Sequence, residues 1–400
     1  MITRSSRASS LTDYEFELSK TQQDVAALKA FCLANPADVE KHVRLAYRQF
    51  HIAGLTDNEC AFQEVERTIN NVIARFGPKE DICILKGNLD DRFHRLREVK
   101  SDLRMCPRLA DRFEARCILA GVDFQEGGYD TARRTWERLI EERRTWDNLA
   151  RLANWYFKMG EHEQADNLYA AAEEELTAKE MRSFAWIELQ RGAIAATRGS
   201  LDRARSHYDR AAAAFSGDWR VDVYYSELLA LEGKLAQAVT VLEEVVARAP
   251  KPEFKHALGG LLRLAGKNDE AQQWFEAALT EYLVSVSRQD VHYFHHLVDF
   301  YAEQDREPAE AVKWARKDVD LRSNFSTQSA LAYALLKNHE LPEALKWIRL
   351  ALSSGAKDAS LLRTAAAVFQ SAGDTSQAKR YSRAAAAINP NGGALLHLHH

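Results

Sequence analysis

The chain of 400 residues contains no run approaching the roughly 20 consecutive apolar residues that a membrane-spanning helix needs. Membrane insertion is therefore not expected. Proline and glycine are scarce, at 8 and 18 residues, while Ala, Leu, Glu and Arg are plentiful, which favours helix over sheet. Charge of one sign is also lacking. The net charge is −4 and the pI about 6.4, so there is no bulk pull toward nucleic acid or an anionic membrane. Cysteine is sparse and odd in number: Cys32, Cys60, Cys83, Cys106 and Cys117 show no CxxC spacing. That usage reads as reduced thiols in a cytoplasm-like compartment, and a cytoplasmic location is expected.

Enzyme signatures are missing too. There is no GxSxG, no P-loop, no dinucleotide fingerprint and no HExxH. Carboxylates are abundant but stand three or four residues from Lys or Arg, as in "EERRTWDNLARLANW" (141–155), the spacing of solvated helix pairs. No catalysis and no cofactor are expected. The opening "MITRSSRASS" is basic and Ser-rich without an apolar core, and is not expected to be a secretory signal.

What the chain does have is a period. "GGYDTARRTWERLI" (127–140), "GEHEQADNLYAAAE" (160–173), "GSLDRARSHYDRAA" (199–212), "GKLAQAVTVLEEVV" (233–246), "GKNDEAQQWFEAAL" (266–279) and "GDTSQAKRYSRAAA" (373–386) align with one another. Each reads Gly, four residues, Ala, then a bulky residue about one helical turn later; Ala311 and Ala344 keep the alanine without the glycine. The alanines at 132, 165, 204, 238, 271, 311, 344 and 378 are 33, 39, 34, 33, 40, 33 and 34 residues apart. Glycine supplies the positive φ that ends a first helix, and alanine lets a second helix cross it closely. A lone pair of this kind cannot bury its apolar face, so stacking is required.

These residues resemble the tetratricopeptide repeat, a helix–turn–helix of about 34 residues. The fullest match is "HALGGLLRLAGKNDEAQQWFEAAL" (256–279), and Pro250 and Pro390 stand where the family often ends a second helix. The resemblance implies an all-α solenoid, a right-handed superhelix of antiparallel helix pairs. The expected organisation is a loose tail over 1–13, degenerate helical repeats over 14–111, an array of about eight repeats over 112–390, and a tail over 391–400. "KGNLDDRFHRLREVKSDLRMC" (86–106) would place Val99 in the alanine slot. The two long spacings put extra residues at 173–183 and 281–290, as longer helix or longer connection.

In the family's register, the inner wall would carry Arg151, Asn154, Phe157, Lys158, Trp186 and Gln190. It would continue through Arg220, Tyr224, Glu227, His256, Arg263 and Tyr293, then His296, Phe300, Tyr333, Lys337 and Arg363. Arg, aromatic and amide side chains are typical of interaction hot spots, which implies a scaffold or adaptor gripping a segment of another protein. Arg151, Asn154 and Lys158 have the residue types of the family's clamp for C-terminal carboxylates. Cys117 and Gly121 occupy the partner slots, so no clamp is expected. "VHYFHHLVDFY" (291–301) is the other dense patch. His295 is expected as a packing residue. The alternative is a Zn, Ni or Cu site built on His292 and His296 at i, i+4, with help from the terminal "HLHH". Asp318, where an alanine is usual, is expected to pair with Arg322.

Overall fold

The computed structural model describes residues 11–303 and 307–390. Among these residues there are twenty-one α-helices, a short 3-10 turn at Pro107–Asp111, and no strand. A single helix, α1 (Asp13–Ala34), leads the chain. Its Thr12 hydroxyl accepts from the Glu15 amide while the Glu15 carboxylate accepts from Thr12 N–H, so two unpaired amides are satisfied reciprocally.

Ten antiparallel hairpins follow. They are α2 (Val39–Thr56) with α3 (Glu59–Phe76), α4 (Glu80–Arg92) with α5 (Leu96–Arg104), and α6 (Phe113–Gln125) with α7 (Tyr129–Glu142). Next come α8 (Trp146–Lys158) with α9 (His162–Glu174), α10 (Met181–Thr197) with α11 (Leu201–Ala214), and α12 (Trp219–Leu231) with α13 (Leu235–Arg248). The last are α14 (Pro252–Leu264) with α15 (Asn268–Ser287), α16 (Phe294–Glu303) with α17 (Pro308–Leu321), α18 (Phe325–Lys337) with α19 (Leu341–Leu352), and α20 (Ala359–Ser371) with α21 (Thr375–Ile388).

One turn geometry closes most of these hairpins. At the α8–α9 turn Gly160 takes φ 81°, its N–H donates to the Phe157 carbonyl at 3.0 Å, and Glu161 N–H donates to Tyr156 at 2.8 Å. These two bonds cap the dangling carbonyls of the first helix and reverse the chain. The same pair of bonds recurs at Gly127, Gly199, Gly233, Gly266 and Gly373. It also occurs at His94 and His339, which adopt φ 58° and 62° although they carry a Cβ. Five residues after each turn residue comes the crossing slot, where Val99, Ala132, Ala165, Ala204, Ala238, Ala271, Ala344 and Ala378 are all buried. One helical turn further on, Trp136, Tyr169, Tyr208, Leu242, Phe275 and Ile348 fill the space to the first helix. At Gly259 that space is so tight that a Cβ would sit 2.7 Å from the Phe275 ring.

The two long spacings resolve differently. α15 absorbs its surplus as helix, running for 20 residues, whereas after α9 the surplus lies in the connection from Glu174 to Met181 and in the longer α10.

The solenoid coils back on itself (a contact the repeat period does not announce). The Asp13 carboxylate accepts from Ser216 N–H at 3.0 Å, and Tyr14 N–H donates to the Ser216 carbonyl at 3.1 Å. Asp57, beyond α2, pairs with Lys251 at 2.5 Å. Phe93 and His94 of the α4–α5 turn pack on His292, with ring centres 5.4 and 5.5 Å away. The Gln125 carbonyl accepts from Asn324 Nδ2 at 3.1 Å, and Tyr129 Oη accepts from Phe325 N–H at 2.6 Å. At the α8–α9 turn Met159 O accepts from Lys357 N–H at 2.9 Å, and Glu161 pairs with Lys357 at 2.7 Å. Sequence separations of 203, 194, 199 and 196 residues recur at Asp13–Ser216, Asp57–Lys251, Gln125–Asn324 and Glu161–Lys357. At about 34 residues a hairpin, this is close to six hairpins per turn. The turn of each early hairpin thus rests on the loop that opens the hairpin six places later. A seam joins the first coil to the second.

Two glycine substitutions separate the hairpin turn from the seam. Gly266→Ala, where a Cβ meets open space, is expected to cost roughly 1–2 kcal/mol for the left-handed backbone alone. Gly160→Ala, whose Cβ would run into the Lys357 carbonyl, is expected to cost clearly more in denaturant titrations. Equal losses would contradict the seam.

Candidate partner-binding lumen

The expected wall residues all belong to first helices of hairpins or the approach to one. Arg151, Asn154, Phe157 and Lys158 lie on α8, Trp186 and Gln190 on α10, and Arg220, Tyr224 and Glu227 on α12. His256 and Arg263 lie on α14, Tyr293 just before α16, His296 and Phe300 on α16, Tyr333 and Lys337 on α18, and Arg363 on α20. Their accessibility divides them. Asn154, Lys158, Arg263 and Trp186 are exposed, Trp186 at 39%. Arg151, Phe157, Gln190, Arg220, His256, Tyr333, Lys337 and Arg363 are half-buried. Tyr224, Glu227, Tyr293, His296 and Phe300 are buried.

The buried set packs hairpin on hairpin. Gln190 Nε2 donates to Tyr224 Oη at 3.0 Å, and His256 lies 5.2 Å from Phe300 between ring centres. Arg220 is engaged elsewhere: its guanidinium donates to the carbonyls of Gly54 and Leu55, the latter at 3.0 Å. Those carbonyls belong to the last turn of α2, the partially negative end of a helix, where a cation is favoured. Arg220 is therefore a seam residue.

Sequence register missed several residues around this wall. Asp91 accepts from Gln125 Nε2 at 3.2 Å, and burial pushes its carboxyl up to about 6 against the pull of Arg151 and Lys158. Lys158 is open to solvent yet surrounded by protein, and its ammonium is held below the usual lysine range by burial and then by Arg322. Arg322 comes from the loop before α18. It holds Asp318 through Nε at 2.8 Å and Nη2 at 3.3 Å, the pairing expected from their i, i+4 spacing. The same guanidinium donates to His94 Nε2 at 3.3 Å. A half-buried Arg182, paired with Glu17 at 3.3 Å, ties α10 to α1 in a similar way. No sequence signal marks the Arg322–His94 and Arg182–Glu17 contacts, because residues 228 and 165 apart meet only through the winding of the whole coil.

The histidine segment is part of the seam. Helix α16 starts at Phe294, so His292 lies in the preceding turn and does not share a helix face with His296. His296 stacks on Tyr282 at 5.5 Å with the rings 7° apart, while His292 turns toward Phe93 and His94. The i, i+4 chelate that stood as the alternative reading does not form. Among the described residues no group of three His, Cys, Asp or Glu side chains is placed to hold a metal ion, and "HLHH" lies outside them. Burial lowers His292 to about 3, helped by Lys251 and Arg92, and holds His94 well below the ordinary imidazole range, helped by Arg322. Both rings are neutral packing groups.

The sign of their contribution to stability follows. An unfolded imidazole gains a proton below about pH 6.5, whereas folded His292 does not until about 3. Its stabilisation is complete above about 6.5 and is lost as the pH falls toward 3. Asp90 and Glu173, raised to about 7 chiefly by burial, act in the opposite direction, so the test is a difference. Relative to the unsubstituted chain, His292→Phe is expected to gain stability between pH 7 and 5, by up to about 1.4 kcal/mol per pH unit. A pH-independent difference in unfolding midpoint would contradict the assignment.

Comparison with known proteins comes to three findings. Residues 195–261 match the tetratricopeptide repeat family. No curated protein matches the chain. Among solved structures the chain is similar to the APC/C hetero-tetramer Cut9–Hcn1, at 14% identity over 94% of this chain and 84% of that one, with a TM-score of 0.45. It is also similar to Naa15/Naa10 bound to HypK-THB, at 16% identity over 94% of this chain and 62% of that one, with a TM-score of 0.29. Residues 195–261 thus carry the tetratricopeptide repeat match, and most of the described hairpins before and after them use the same turn and the same crossing.

Proposed function

We propose that the chain is a non-enzymatic interaction scaffold that holds an extended, acidic segment of a partner protein in its lumen, within a reducing, cytoplasm-like compartment. The observation that carries this reading is the charge around Lys158. Its ammonium is held below the usual lysine range by burial and then by the Arg322 guanidinium, with Asp91 as the opposing partner. A carboxylate placed between them would relieve that repulsion where the low effective dielectric makes it most costly. Asn154 and the exposed face of Trp186 lie on the successive first helices α8 and α10, and Arg263 lies further along on α14; they offer hydrogen-bonding and stacking surface.

Fluorescence titration with Glu-rich and Lys-rich peptides of equal length tests the reading. The Glu-rich peptide is expected to bind more tightly, and Lys158→Glu to weaken it by at least about tenfold, equivalent to about 1.4 kcal/mol. Trp186→Ala is expected to lower affinity in a variant that remains folded. Equal affinity for both peptides, or an unaffected Lys158→Glu variant that remains folded, would contradict it.

A further inference from the structure

Cys83 lies in the first turns of α4, and Cys106 follows α5, immediately before Pro107. Folding the hairpin brings their sulfurs to 3.6 Å, which is van der Waals contact. Cys83 is fully buried and Cys106 is partly open to solvent. Cys117, by contrast, directs its thiol to Asn148 Oδ1 at 3.5 Å, and Cys60 is exposed.

The geometry points to Cys83 and Cys106 as a thiol couple that a two-electron oxidant such as hydrogen peroxide converts into an intramolecular disulfide. The two thiols have different roles. Burial, and then the neighbouring Cys106, push the Cys83 thiol up to about 12, so Cys83 stays protonated and away from solvent. Cys106 is the sulfur an oxidant can reach. Its sulfur attacks one peroxide oxygen, the O–O bond breaks, and water leaves, giving the sulfenic acid at Cys106. The Cys83 sulfur then attacks the Cys106 sulfur, the S–O bond breaks, and the departing hydroxide takes up the Cys83 proton as a second water. Two thiols and one peroxide thus become one disulfide and two waters.

Closing the bond needs the sulfurs to approach from 3.6 Å to about 2.05 Å. The loop it closes, residues 83–106, contains nearly all of α4 and the whole of α5. The bridge would therefore staple one hairpin of the solenoid while leaving the stacking face of its neighbours in place. Transient disulfides are the kind a reducing compartment permits.

The test uses the full-length, pre-reduced chain treated with stoichiometric hydrogen peroxide. The chain is then unfolded in an alkylating agent and mapped by mass spectrometry. The expected product is a single species linking the Cys83 and Cys106 peptides, two hydrogens lighter, reversed by dithiothreitol and still formed in Cys60→Ser. Hydrogen exchange across 84–105 is expected to slow in the oxidised form. Both cysteines fully alkylated after oxidation would overturn the proposal. So would Cys106 driven to sulfinic acid with Cys83 still a thiol, or unchanged exchange in the bridged chain. The mapping is done on the unsubstituted chain, so no outcome depends on whether a Cys83 variant folds.

Discussion

Eight of the ten hairpins depend on a left-handed residue five places before a small buried one. The left-handed residue lets two amides turn back onto the last carbonyls of the first helix, which ends that helix with its polar groups satisfied. The small residue then allows the second helix to cross closely, and the bulky side chain one turn later fixes the crossing. Where glycine fills the turn the backbone is relaxed. Where His94 and His339 fill it, a side chain sits at positive φ, and such strain persists when surrounding contacts hold it. For His94 those contacts are Arg322, His292 and His295 in the next coil.

Repetition of that unit has a consequence no single unit contains. A constant rotation per hairpin, accumulated about six times, returns the chain to its starting edge. The loops that open the later hairpins then meet the turns of the earlier ones. The seam is built from groups with complementary needs: helix-end carbonyls with Arg220, the Asp57 carboxylate with Lys251 and Arg92, and neutral imidazoles with one another and with Phe93. Several of these are charged groups removed from bulk water, and such pairs are costly to break one partner at a time. The seam therefore ties the first coil of the spiral to the second. It also brings Arg322 near Lys158, whose ammonium is held below the usual lysine range by burial and then by that guanidinium.

Much of the local architecture was legible in the chain. The eight alanines and six glycines locate their hairpins because the crossing and the turn each tolerate so few residue types. Asp318 with Arg322 was legible for the same reason, since a carboxylate in a buried small-residue slot needs a nearby cation. The wall was legible only as a set of helices. Register puts Arg220 and Trp186 in equivalent positions, yet one caps α2 across the seam and the other is open to solvent. His292 was misplaced because α15 continues to Ser287 and α16 does not begin until Phe294, so the assumed helical register fails at that point. Contacts between residues about 200 apart leave no periodic trace, since a period encodes only what neighbouring repeats require of each other.

The self-contacting coil is most directly tested by zero-length carbodiimide cross-linking of the unmodified chain, because the seam places lysines against carboxylates on the other coil. Mass spectrometry of the monomer should recover the Glu161–Lys357 and Asp57–Lys251 links, whose partners stand 2.7 and 2.5 Å apart. A monomer that yields only links within a hairpin or between adjacent hairpins would contradict the account.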